Sequence, residues 1–100
     1  MHAWYREQWE FEITVLAVGK KNRPEECRLG LEQGDRFQST YGCPSGLCPK
    51  TMMKAFPLTE AVRSGGDLRA LGGDTALSLD FICPDAVVRF RLVARKLDEA

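Results

Sequence analysis

The sequence predicts an α+β domain: a small, mainly antiparallel sheet of about four strands with one kinked or split helix packed on one face, or the same sheet curled toward a barrel. Three observations predict it. Segments toward both ends of the chain alternate apolar and polar residues, the signature of strands with one wet face. Between them runs a single apolar stripe at helical spacing. Finally, 100 residues at 44% hydrophobic suit one domain around one core.

Residues 10–18, EFEITVLAV, point Phe11, Ile13, Val15 and Ala17 one way and Glu10, Glu12 and Thr14 the other, as a half-buried strand does. Residues 19–24, GKKNRP, form a polar turn, and the Gly34-Asp35 step leads into a short strand over 36–41. A loop over 42–48 ends at Pro49, whose fixed φ and missing N–H suit the first turn of a helix. Met52, Met53, Phe56, Ala61 and Val62 carry the helical stripe, Pro57 inside it predicts the kink or split, and Gly65-Gly66 stops it. Met52 and Met53 are read as core side chains rather than copper ligands. Residues 67–74 read as a loose turn and a loop.

Two strands complete the sheet. Residues 75–83 place Leu77, Leu79, Phe81 and Cys83 on one face. Residues 87–97 place Val88, Phe90, Leu92 and Ala94 on one face and Arg89, Arg91 and Arg95 on the other. The CPDA between them is a tight hairpin turn. If the first and last strands are neighbours, the arginine stripe faces Glu10 and Glu12 and is neutralised there. Residues 1–9 carry Trp4, Tyr5 and Trp9 as an aromatic arm ahead of a single domain over 10–100.

Composition narrows the function. Fourteen basic residues balance 14 acidic ones, whereas nucleic-acid and anionic-membrane binders carry a basic excess, so neither partner is expected. No run reaches the roughly 18 apolar residues of a membrane span, and MHAWYREQWE lacks the apolar centre of a signal peptide. A cytoplasmic protein is expected, in a compartment that keeps thiols reduced. The one histidine, His2, supports no Ser/His/Asp or Cys/His arrangement, and RSGGDLRALGGD lacks the lysine of a phosphate-binding loop. Asp35, Asp80 and Asp85 are not spaced as an acid/base couple, so no catalytic residues are assigned.

The four cysteines form the pattern Cys27-x15-Cys43-x4-Cys48-x34-Cys83. Structural zinc sites present two short knuckles, and this chain has one such pair and two distant singles; an iron–sulfur cluster accepts scattered thiolates. Cys27, Cys43, Cys48 and Cys83 are therefore one candidate ligand set, for zinc or an iron–sulfur cluster. Cys48 is also a candidate redox thiol. At the predicted helix cap, unpaired amides and the positive helix end favour a nucleophilic sulfur, with Cys43 near enough in sequence to resolve it. The plainest account is ordinary packing: Cys83 shares a face with Leu77, Leu79 and Phe81, and cysteine is among the most buried residue types.

The ordered set ITVLAVG, then Cys27 with LEQGDRF after it, then PSGLCP before a helix, then FICPDAVVRFRL resembles an uncharacterised family of prokaryotic proteins of similar length. The likeness spans residues 10–97. Cys27, Gly34, Asp35, Gly46, Cys48, Cys83, Pro84 and Asp85 sit on the family pattern, while Cys43 and the aromatic arm do not. The resemblance implies a fold and brings no activity with it.

The expected function is that of a small accessory protein without catalysis of its own. It would meet a protein partner or a second copy of itself through Trp4, Tyr5 and Trp9 or an open sheet edge. The alternative is a metal-binding, iron–sulfur or redox-active thiol protein using Cys27, Cys48 and Cys83, with Cys43 auxiliary. That alternative requires the sulfurs of 27, 48 and 83 to meet beside the amino end of the helix.

Overall fold

In the computed structural model, which describes residues 7–97, the first strand lies between two others and pairs along its length with the last. The elements are β1 (Trp9–Val18), a 3₁₀ turn (Pro24–Glu26), β2 (Arg36–Ser39), α1 (Pro49–Arg63), a second 3₁₀ turn (Leu68–Leu71), β3 (Ser78–Ile82) and β4 (Val88–Lys96). The sheet order is β2-β1-β4-β3, and every neighbouring pair is antiparallel. The sheet stays open, with β2 and β3 as its edges, so the curled variant is not adopted.

Alternation places the core. Phe11, Ile13 and Val15 of β1, Leu79 of β3, and Val88, Phe90, Leu92 and Ala94 of β4 are buried on one face. Phe90 is completely buried, with Phe81 stacked on it at 5.2 Å between ring centres. A register shift between Val15 and Ala17 corrects one expectation. It buries Val18 where strict alternation would bury Ala17, as a β-bulge does by adding one unpaired residue.

α1 lies over this face through Thr51, Ala55, Thr59 and Val62, spaced as one helical stripe. The cap residue is Cys48 and Pro49 opens the first turn. At the far end the N–H of Gly66 donates to Ala61 O at 2.8 Å and that of Gly65 to Val62 O at 3.0 Å, the paired bonds of a Schellman stop. Gly65 has φ 85°, and a Cβ on Gly66 would stand 2.8 Å from the Ala61 carbonyl, so both glycines are required. Pro57 does not split the helix, which runs on to Arg63. The carbonyl it deprives of a donor belongs to Met53, which is 76% exposed and can turn to water instead. The same exposure takes Met53 out of the core, while Met52 packs against it.

Arg63 fastens the end of α1 to the sheet. Its guanidinium lies 4.9 Å from the ring centre of Phe11 and 4.8 Å from that of Tyr41. It also pairs with Glu60 and donates to the carbonyl of Thr40.

The outer face of the sheet is charged. Glu10 pairs with Arg95 across β1 and β4, as expected, but Glu12 accepts instead from Gln38 at 3.0 Å. Arg91 forks onto Asp80 of β3 at 2.8 and 3.2 Å, and those hydrogen bonds hold the Asp80 carboxyl below its usual range. Trp9 opens β1 opposite Lys96 and packs partly buried against the core, so it belongs to the sheet rather than to an arm. Trp4 and Tyr5 lie outside the described residues.

Phe90→Ala should lower the free energy of unfolding in urea by about 3–5 kcal/mol through the cavity it leaves. Val93→Ala, on the wet face of the same strand, should change it by less than about 0.5 kcal/mol.

Candidate functional site

Three of the four cysteines reach one cavity at the amino end of α1. Its volume is about 30 Å³, room for an occupant the size of a water molecule or a single ion. Cys27, Cys48 and Cys83 line it together with the buried side chains of Leu31, Thr51 and Phe90. Arg28, Lys50 and Asp85, all exposed, stand at its rim.

Each cysteine arrives by a different route. Cys48 is the N-cap of α1, its side chain makes no capping hydrogen bond, and the residue lines the cavity. The carbonyl of Cys48 instead accepts from Thr51 N–H at 2.9 Å and Met52 N–H at 3.2 Å. Cys83 comes after β3 at the start of the hairpin turn, where Ala86 N–H donates to its carbonyl at 2.8 Å. Ala86 takes a left-handed φ of 60°, a conformation that costs a non-glycine residue about 1–2 kcal/mol. The turn it completes aims two backbone N–H groups, of Val87 at 3.4 Å and Val88 at 3.3 Å, at the sulfur of Cys83.

An ion pair ties the segments of Cys48 and Cys83 together. Cys48-Pro49-Lys50 and Cys83-Pro84-Asp85 share one pattern with opposite charges at its end, and Lys50 Nζ meets Asp85 Oδ1 at 3.3 Å. The ion pair is half exposed and stabilises little by itself. Its contribution is alignment of the two Cys-Pro corners.

Cys27 is set by the turn before it. Glu26 accepts from the backbone N–H groups of Lys20 (3.1 Å), Lys21 (3.0 Å) and Arg23 (3.1 Å). The Arg23 amide in particular holds the Glu26 carboxyl below its usual range. Gly19 makes room for this clamp, since a Cβ there would lie 2.5 Å from the carboxyl group. Cys27 N–H then donates to Pro24 O at 3.0 Å, and the chain turns again as Gly30 N–H donates to Cys27 O at 2.9 Å.

Cys43 is separate. It is exposed and outside the cavity, with its sulfur directed at the carbonyls of Pro44 and Leu47 at 3.5 and 3.7 Å. The four-cysteine ligand set is thereby reduced to three neighbours and an outlier. All four cysteines are free thiols, and among the described residues no three Cys, His, Asp or Glu side chains are placed to share a metal ion. Cys83 and Cys27 also contribute to the hydrophobic core, as the packing account expects.

Sequence reasoning missed Glu26, Lys50, Thr51 and Phe90 as parts of this corner. The doubled Cys-Pro-charge pattern was the available signal for Lys50 and Asp85. For Glu26, the signal was an acidic residue directly before Cys27 and a few residues after a glycine-lysine turn.

Among the described residues no helix is long and apolar enough to cross a membrane. No family model, no curated protein and no solved structure matches this chain.

Glu26 is expected to titrate below 4.5, because its charged form is the one the three amides bind. Its contribution is therefore complete above the ordinary glutamate value and is lost as pH falls through the lower folded one. An NMR titration following its carboxyl carbon and the Lys20, Lys21 and Arg23 amides checks this. Glu26→Gln should loosen those amides at neutral pH and leave the Val88 and Phe90 amides unchanged.

Proposed function

We propose that this protein is a small accessory protein whose chemistry resides in the thiols of Cys27, Cys48 and Cys83. One observation carries the reading: side chains far apart in the chain, from three separate loops, line one cavity at the amino end of α1. Ordinary core packing accounts for Cys83, which is nine-tenths buried, and for part of Cys27. It gives no reason for Cys48, outside that core, to face the same cavity.

The surroundings favour sulfur chemistry. The amino end of a helix carries partial positive charge, and Arg28 and Lys50 add two cations at the rim against the single carboxylate of Asp85. The cavity volume favours an atom-sized guest over an organic substrate, which supports a role without catalysis of its own. Four free thiols suit a reducing, cytoplasmic setting. The family resemblance drawn from the motifs divides the cysteines as the cavity does, with 27, 48 and 83 on the pattern and 43 off it. The partner it would serve is another protein, reached through an open edge of the sheet or the aromatic segment around Trp4 and Tyr5.

Alkylation rates at each cysteine, followed by mass spectrometry, test the thiol site. Cys48→Ser should change the rates at Cys27 and Cys83 severalfold and leave Cys43 as it was. If all four react independently, each at a rate set by its exposure, the reading is wrong.

A further inference from the structure

We infer that Cys83 reacts with hydrogen peroxide inside the three-cysteine cavity and is oxidised there to a sulfenic acid. The inference rests on the thiol-site reading above and gives that site its substrate, an oxidant little larger than water. The sulfur of Cys83 is the first ground. Two backbone N–H groups donate to it, of Val87 at 3.4 Å and of Val88 at 3.3 Å. A neutral thiol is a weak acceptor; the thiolate, which is the nucleophile, makes far more of two such donors. Arg28 at the rim and the amino end of α1 add positive potential.

Volume is the second ground. One water molecule needs roughly 10–15 Å³ of cavity, so about 30 Å³ takes a molecule of two oxygen atoms and not an organic hydroperoxide. Thr51 is the third. It is 1% exposed, lines the cavity, and its hydroxyl has no hydrogen-bond partner among the described residues. A buried hydroxyl left without a partner is unfavourable, and a bound peroxide supplies one. Leu31 and Phe90 make the inner wall apolar, which suits an uncharged guest over an anion.

The thiolate sulfur of Cys83 attacks one peroxide oxygen. An S–O bond forms as the O–O bond breaks, and the sulfur passes two electrons to the peroxide. The departing oxygen accepts a hydrogen bond from Thr51, takes up the proton that the thiol released, and leaves as water. One thiol and one peroxide thus give one sulfenic acid and one water. Exposure alone predicts a different order of reaction, because Cys43 is exposed and Cys83 is nine-tenths buried.

The test uses the full chain, reduced, exposed to hydrogen peroxide and stopped with catalase. Intact mass should rise by one oxygen atom that dithiothreitol removes again, which separates a sulfenic acid from a disulfide or a higher oxide. Unfolding in excess alkylating agent and peptide mapping should show thiol lost from Cys83 on the order of tenfold faster than from Cys43. tert-Butyl hydroperoxide, too bulky for the cavity, should reverse that order. Thr51→Val should slow oxidation of Cys83 about tenfold, as the loss of one hydrogen bond does, and leave its alkylation rate unchanged. Thr51→Ser should keep the peroxide rate, and Cys43→Ser should keep the gain of one oxygen. Circular dichroism of Thr51→Val is compared first; if that variant is misfolded, the contrast between the two peroxides decides. Oxidation of Cys43 ahead of Cys83 by hydrogen peroxide, or the same order with both peroxides, overturns the inference. So does an unchanged rate in folded Thr51→Val. If the inference fails while the alkylation coupling among 27, 48 and 83 persists, the peroxide is refuted and the thiol site stands; if the coupling is absent as well, both fall.

Discussion

The pairing of β1 with β4 holds the rest of the molecule in place, because it joins segments about eighty positions apart through the centre of the sheet. Closing so long a loop is entropically costly, and the recompense is nearly all hydrophobic. Phe11, Ile13 and Val15 meet Phe90, Leu92 and Ala94 on the covered face, each almost wholly removed from water. Ion pairs on the other face, Glu10 with Arg95 and Asp80 with Arg91, are open to water and contribute little. Burial decides the fold and, because side chains alternate between faces, the register as well.

With those strands fixed, the position of the cysteine corner is determined. The β3–β4 turn can only emerge at the end of the sheet where β1 finishes, since Gly19 N–H donates to Val87 O at 2.7 Å. That places Cys83 beside the turn after β1, and so near Cys27. α1 must cross the same face to cover Phe90, and its amino end then falls over the turn, where Lys50 meets Asp85. A helix start, a hairpin corner and a 3₁₀ turn therefore meet as a consequence of packing, without any metal or disulfide needed to gather them.

Much of this was legible in the residues. Strict alternation in VRFRLVAR located β4 and its buried face, and the Cys-Pro start and Gly-Gly stop bounded α1 closely. What resisted reading depended on long-range partners. The bulge near Leu16 lies in a run of apolar residues that obeys period two whichever of Ala17 or Val18 is buried. Pro57 costs a helix less where the carbonyl it frees can turn to water, and exposure of Met53 is a tertiary fact. The strand expected over 75–83 forms only from Ser78, because Leu68 N–H takes the Ala76 carbonyl at 3.0 Å and Thr75 folds back to bridge Ser78. The alternative reading required Cys27, Cys48 and Cys83 to meet and already set Cys43 apart as auxiliary; the cavity is lined by the first three and not by Cys43. A cap residue and its nearest upstream neighbours diverge because the loop must turn sharply to enter the helix.

The outermost register pair has a consequence for protein engineering. Trp9 faces Lys96, and Leu97 N–H donates to Gln8 O at 2.8 Å, so the backbone leaves the sheet beside the point where it enters. A short peptide could bridge those two positions without disturbing a strand, and new ends could be opened elsewhere. Equally, the whole unit could be spliced into a surface loop of a host protein as a compact insert, with the cysteine corner at the opposite end of β1 from the splice.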